Sequence, residues 1–572
     1  MIMTDDQDLH LDSLEHMAAV QKHLVEKGTT FSNHWVTDAQ CCPSRATVLR
    51  GQQAHNTNIT AVRYPGGNYD KWLASEMDGD YLPNWLNDAG YSTNYIGKLL
   101  NDALLEPYMY DFNRAVFSKN GGHPVTYPGW HQTDIIRIKA VERIRELAKD
   151  DKPFFYWIAP TAPHTPLARH NETFADLTLP KKGNWNPADE YAKQKVNWVG
   201  KLKPLNESML VQTEELHRAR IQTLQGIDEM VQDIVAVLDE TGLLEDTYVI
   251  YTSDNGYMIG THRIPAVKTL AYKEAGQTPF IVRGPGVLPN ATSRLPGTHT
   301  DLAPTLLDIA GVQAQDFPEL FDGRSLLSQW HNPDGVCTDE AEKVKLDNDL
   351  IGVEFWGDAD IELPTLSSKD SPTSYTRILT TFKALRIVGE HRAYLYTVWC
   401  TGELELYNTI DDPDELVNLA LNPSEDTRRL MSRLNALLLV LKSCEGAMCR
   451  DPWMAFTDDT VDKSLPSRFD TLESALDPTF DDYFSQLPKV QFSQCLRVQS
   501  VENEMPFFPQ EASKGLGSAW RIMMDDWASP EFKPAARVPN NTFPAGGLEQ
   551  RSASYSELEA AMRELTQIEL DG

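Results

Sequence analysis

Cys41-Cys42-Pro43-Ser44-Arg45-Ala46-Thr47-Val48-Leu49-Arg50-Gly51 is the stretch from which the rest of the chain can be read. It opens with a thiol, a turn-forming proline, a hydroxyl and a guanidinium in close succession. Ala46 to Leu49 continues as a helix, with Ser44 placed to be its N-cap and Arg45 in its first turn. A thiol just ahead of a helix N-terminus sits where backbone N–H groups and the helix dipole favour an anion. Arg45 adds a planar, permanently charged fork that suits a tetrahedral oxyanion. Two readings stand: an oxyanion site with sulfur at its mouth, or a structural Cys-Cys pair with one thiol buried and the other in a disulfide.

Outward from this stretch, strands and helices alternate. Met1-Ile2-Met3-Thr4 reads as the end of a buried strand running into Asp5-Asp6. It lacks the charged and apolar segments of a signal peptide, so the chain is expected to start inside its first strand. Leu11 to Lys27 has helical spacing, and Thr29 to Val36 reads as a strand. Tyr81 to Ala89 reads as a helix, and Ser92 to Ile96 as a strand delivering Gly97-Lys98. Thr133 to Lys149 is a long amphipathic helix. Phe154 to Ala159 is an apolar run, as in a strand buried on both faces, and leads into Pro160-Thr161-Ala162-Pro163-His164-Thr165-Pro166. Asn171 to Met209 is polar and irregular, and Thr213 to Glu240 is a long helix. Thr247 to Thr252 is a strand ending in Ser253-Asp254-Asn255-Gly256, Pro279 to Val282 another, and Thr300 to Ala310 a helix with Pro304 in its first turn.

This alternation predicts an α/β fold with a mostly parallel sheet. Polar motifs recur just after strands, at Asp5-Asp6, Lys98, His164 and Asp254, where open α/β sheets bind ligands. From Ser374 the pattern changes: Arg377 to Leu385, Ala393 to Val398 and Leu404 to Tyr407 read as short strands, followed by a helix over Ser424 to Lys442. The expected division is residues 1–373, an α/β domain; 374–450, a smaller antiparallel sheet with one helix; and 451–572, an extension without a functional reading.

The 83 acidic and 52 basic residues give a formal charge of −31. Such a field repels polyanions, so nucleic acid is not an expected partner, and a densely sulfated polymer would need a strong local basic patch. No apolar run approaches the ~18–20 residues of a membrane span. The 7 cysteines do not make a disulfide scaffold, although Cys444 and Cys449 lie close enough in sequence to close a small loop. Glycosylation sequons begin at Asn58, Asn171, Asn206, Asn290 and Asn540 and lean towards a secretory or extracellular glycoprotein.

The pattern Cys-x-Pro-Ser-Arg-Ala-x-x-x-x-Gly resembles the signature of the type I sulfatases, which have an alkaline-phosphatase-like fold. The resemblance implies that Cys41 is oxidised to Cα-formylglycine by the formylglycine-generating enzyme, leaving six cysteines that can pair. Asp5, Asp6, Asp254 and Asn255 are hard oxygen donors, and the resemblance implies that with the modified Cys41 they bind Ca²⁺, or Mg²⁺ in its place. Matching contexts assign Lys98 and Lys268 to the sulfate or the modified residue, and His164 to the leaving-group oxygen. The resemblance is closest to fungal arylsulfatases and N-acetylglucosamine-6-sulfatases. It rests there on Cys41-Cys42, on Glu405-Leu406-Tyr407 before Asp412-Pro413, and on the Cys444–Cys449 segment before Asp451-Pro452-Trp453.

The implied reaction has a hydroxyl of hydrated formylglycine attack sulfur while Arg45, Lys98, Lys268 and the cation neutralise the sulfate oxygens. The expected substrates are sulfate monoesters of aryl or small sugar alcohols. The alternatives are a phosphonate or phosphate monoester hydrolase of the same superfamily, and a non-catalytic binding protein with unmodified Cys41. The chain departs from the family in places. Leu100 stands where many sulfatases carry the histidine that acts as base, with His262 as a substitute; Met258 replaces a common histidine and Lys273 a common glutamate.

Overall fold

The strand Ile2–Thr4 is the hinge of the architecture, hydrogen-bonded on both edges to parallel neighbours. In the computed structural model, residues 1–101, 114–117, 125–128, 130–164, 173–333, 350–364, 373–389, 391–456 and 471–504 are described. Among them a seven-stranded sheet runs in the order Ala291–Ser293, Thr29–Phe31, Phe280–Arg283, Val249–Ser253, Ile2–Thr4, Phe154–Ala159, Ser92–Gly97. The last four of these strands are parallel, with Ile2 opposite both Ile158 and Tyr251. Phe280–Arg283 runs antiparallel to both of its neighbours.

Side-chain alternation along these strands feeds two cores. Ile2, Ile158 and Tyr251 face one way and pack with the helices Gln132–Leu147 and Glu207–Glu240. Met3, Trp157 and Ile250 face the other way and pack with Cys41–Arg50, Leu82–Asp88 and Leu302–Ile309. Burial on both faces explains why these strands read as apolar runs rather than alternating ones.

A second sheet of Leu350–Phe355, Phe382–Val388, Ala393–Trp399 and Leu404–Asn408 is antiparallel throughout. The helix Glu425–Leu441 covers it through Leu434 and Leu437 against Leu385, Tyr396 and Leu406. Leu472, Phe480, Phe484 and Val490 join the same core, and the Cys400–Cys495 disulfide pins their segment to the sheet. The Cys444–Cys449 disulfide closes the small loop. We propose a division at 373/374 and 450/451, with the edge strand of the antiparallel sheet, Leu350–Phe355, contributed from ahead of it.

Several local readings change. The single strand read over Arg377 to Leu385 is two, Thr373–Leu379 and Phe382–Val388, because the chain reverses at Thr380-Thr381 and each half pairs with a different partner. The helix read over Leu11 to Lys27 is broken into a 3₁₀ turn at Ser13–His16, a short α segment at Ala18–Val20 and a π turn at Gln21–Val25. Asn171 and Asn540 lie outside the described residues.

Candidate active site

Strand ends and one helix start converge at a single point. Asp5 and Asp6 follow Thr4, Asp254 follows Ser253, and Lys98 follows Gly97. Gly97 has φ +108°, and a β-carbon there would lie 2.0 Å from the Ala159 carbonyl oxygen, so the strand can turn Lys98 inward only with glycine before it. The Asp6 N–H donates to Asp254 Oδ1 at 3.0 Å, tying two strand ends together.

The helix Cys41–Arg50 begins at Cys41 itself, with Gln40 in the N-cap position. Ser44 is therefore not the cap. Its hydroxyl donates to the Asp254 carbonyl at 2.5 Å and pairs with His299 Nδ1 at 2.9 Å, joining the helix to the end of the strand Val249–Ser253. Neither Cys41 nor Cys42 is in a disulfide, which removes the structural reading of the pair.

The structure brings Asp5, Asp6, Cys41, Arg45, Lys98, His164, Asp254, Asn255 and Lys268 together. Donor atoms of Asp5, Asp6, Cys41 and Asp254 all lie within 4.8 Å of one another. The Cys41 thiol donates to Asp5 Oδ1 at 3.4 Å and accepts from Lys268 Nζ at 2.8 Å. Lys98 Nζ pairs with Asp5 Oδ2 at 2.6 Å, and Lys268 pairs with Asp6. The Asn255 amide donates to Asp6 Oδ1 at 2.8 Å. His164 Nε2 stands 3.8 Å from Asp6 Oδ2, and its side chain is 30% exposed while those of Asp5, Asp6 and Asp254 are buried. Arg45 is anchored on two of its three nitrogens, and its remaining terminal nitrogen is buried without a hydrogen-bond partner among the described residues. Its Nε is bonded to Asp254 at 2.9 Å and one terminal nitrogen to the Lys98 carbonyl at 2.5 Å, which fixes the plane of the fork.

These contacts set the charges. Burial works against ionised Asp5, yet Lys98, His164, Arg45 and Lys268 together hold its carboxyl well below the usual range. Burial also opposes the charge on Lys268, and Asp6, Cys41 and Asp5 more than restore it. Burial, followed by the Asp5 charge, pushes the Cys41 thiol well above its ordinary value. As a cysteine, residue 41 is a protonated hydrogen-bond donor rather than a thiolate.

The donor set fits a hard dication. Three carboxylates and one carboxamide supply oxygen, and Asn255 Oδ1 is buried without a hydrogen-bond partner beside them. A cation held among these oxygens would satisfy that orphaned atom.

Leu100 is buried in apolar core, 2% exposed. Met258 is likewise core. Lys273 pairs with Asp414 at 3.1 Å. His262 does not reach the Cys41 cluster: it gathers with Glu274 and Glu415, and burial together with Lys195 and Lys273 keeps it neutral. The substitute-base reading of His262 is thus corrected. Sequence reasoning missed Arg220, which bonds the Asp6 carbonyl from the middle of a long helix, and His299, which backs Ser44. Both lie in ordinary local patterns that carry no signal of their contacts.

The sulfatase family profile matches residues 1–312. The arylsulfatase of Volvox carteri is 34% identical over 89% of this chain and 83% of its own length. The N-acetylglucosamine-6-sulfatase of Homo sapiens is 29% identical over 79% and 85%. Among solved structures, BT4656 in complex with its substrate D-glucosamine-2-N,6-O-disulfate superposes with a TM-score of 0.59 at 21% identity, covering 77% of this chain and 96% of that one. A phosphonate monoester hydrolase from Silicibacter pomeroyi gives 0.54 at 20% identity, covering 78% and 96%; both are likenesses of fold. The chain belongs to the sulfatase family, the sulfuric ester hydrolases.

Proposed function

We propose that this member of the sulfatase family hydrolyses sulfate monoesters of aryl or small sugar alcohols, with residue 41 as formylglycine and a bound divalent cation. The observation that carries the reading is the charge balance around Cys41: Asp5, Asp6 and Asp254 against Lys98, Lys268 and Arg45, all buried or nearly so. Alone, the cluster is close to neutral. A dication among those oxygens makes it strongly cationic, which is what an incoming sulfate ester requires.

Asp5, Asp6, Asp254, Asn255 and residue 41 would hold Ca²⁺, or Mg²⁺ in its place, and the ion when bound polarises a sulfate oxygen. Formylglycine at position 41, installed by the formylglycine-generating enzyme, supplies when hydrated a hydroxyl nucleophile and a second hydroxyl whose loss of a proton releases sulfate. Lys98 and Lys268 neutralise sulfate oxygens as charge builds on them. His164, the most exposed of the cluster's titratable side chains, donates a proton to the departing alcohol. Arg45, held by Asp254 and the Lys98 carbonyl, offers its remaining terminal nitrogen to the same sulfate oxygens.

The −31 charge favours small esters over heavily sulfated polymers. No helix among the described residues is long and apolar enough to cross a membrane. For protein made on the secretory route, glycans belong at the exposed Asn206 and Asn290 and not at the buried Asn58. Turnover of nitrophenyl sulfate beside nitrophenyl phosphate tests the reading. Preference for the sulfate upholds it; preference for the phosphate makes the chain a phosphate or phosphonate monoester hydrolase; no turnover of either leaves a binding protein.

A further inference from the structure

We propose that Arg220 is a positioning residue that sets the distance between His164 and the Asp5-Asp6 turn, an inference that rests on the sulfatase reading above. Arg220 lies within the helix Glu207–Glu240 and is 1% exposed. One terminal nitrogen donates to the Asp6 carbonyl, and the other donates to the Pro163 carbonyl at 3.3 Å. Its guanidinium lies 3.9 Å from the centroid of the Tyr257 ring, and Asp8 Oδ1 is 3.6 Å from the nitrogen that reaches Asp6.

The two carbonyls belong to the two backbones that have to be held apart correctly. Asp6 carries a candidate ligand on a left-handed backbone, φ 69°, which a non-glycine residue holds only where its surroundings enforce it. Pro163 immediately precedes His164. The same two segments also meet through the Asp5 N–H, which donates to the Ala162 carbonyl at 3.2 Å. The 3.8 Å between His164 Nε2 and Asp6 Oδ2 is therefore spanned from behind by a single planar fork. A guanidinium can send directed N–H bonds to two separate carbonyls from one plane; an ammonium carries the charge without that geometry. The Tyr257 face fixes the plane, and Asp8 offsets the buried charge.

Without the fork, His164 drifts relative to the reacting ester. A misplacement near ~1 Å costs about 10²-fold in rate. The loss falls on esters whose alcohol needs a proton to depart, and much less on nitrophenyl sulfate, whose leaving group does not. Arg220→Met, Arg220→Lys and Tyr257→Leu are compared with wild type on nitrophenyl sulfate and on a sugar sulfate, with melting curves alongside. We expect kcat on the sugar ester to fall about 10²-fold in Arg220→Met, roughly ten times more than on nitrophenyl sulfate, with KM little changed and no rescue by lysine. Tyr257→Leu shifts the ratio in the same direction by less. Should Arg220→Met fail to fold, the other two variants carry the comparison. An unchanged ratio in folded variants of an active enzyme, or full rescue by lysine, overturns the inference alone. A wild type inactive on both esters overturns the sulfatase reading and this inference with it.

Discussion

Lys268 holds its ammonium 2.8 Å from the sulfur of Cys41 while pairing with Asp6. On the proposed mechanism, this half-buried cation would stand where charge develops on the transferring sulfuryl group. Lys268→Ala and Lys98→Ala should each lower kcat/KM on nitrophenyl sulfate by at least ~10²-fold, the size of one lost oxyanion contact. Steady-state kinetics check this, and near-normal activity in either variant removes that lysine from the chemistry.

Removing divalent metal should loosen the fold at the sheet's carboxyl edge, since Asp5, Asp6 and Asp254 are buried together there. A ligand bound only by the folded state adds about 2.7 kcal/mol at a hundredfold excess over its Kd. Chelator-treated protein should therefore melt lower and recover with added Ca²⁺. The response should vanish in Asp254→Ala. A Tm indifferent to Ca²⁺ in wild type counts against the metal site.

A buried network elsewhere gives a pH dependence with a definite sign. Burial pushes the Glu354 carboxyl up, but His55 at 2.9 Å and Lys383 at 2.6 Å outweigh it and bring it down from 4.5 to about 2. A carboxylate with a depressed pKa stabilises the fold fully above its unfolded value, and that contribution is lost as the pH falls through the folded one. Wild type should thus lose Tm between about pH 4.5 and about pH 2 more steeply than Glu354→Gln, which starts lower. Parallel curves would remove Glu354 from the acid response.

The α/β core was legible because its strands are buried on both faces and its helices are long. Ile2–Thr4, Phe154–Ala159 and Val249–Ser253 announce themselves as apolar runs ending in carboxylates or turns. The candidate site was legible because Asp5, Asp6 and Asp254 follow two of those strands, Lys98 follows Ser92–Gly97, and Cys41 and Arg45 share one ordered motif. What failed was local. Ser44 has the composition of an N-cap, but the helix starts at Cys41, so its hydroxyl is drawn to Asp254 instead. His262 is near Lys268 in sequence, yet the turn between them sends it to Glu274 and Glu415. Arg220 carries no local sign, because its partners Asp6 and Pro163 lie 214 and 57 residues away in sequence.

The two disulfides differ in reach. Cys400–Cys495 spans 95 residues and Cys444–Cys449 spans 5. Loop-closure entropy assigns roughly 4–5 kcal/mol to the first and roughly 2 to the second. Cys495→Ser should therefore lower denaturation stability more than Cys449→Ser. The reverse order would mean that the segment around Cys495 is held by its apolar packing.

The most direct test is the mass of the peptide containing residue 41, taken from protein made in its native host. We expect an aldehyde, seen free or as its hydrate and captured by a hydrazine reagent. An intact thiol at that position in every molecule would contradict the account.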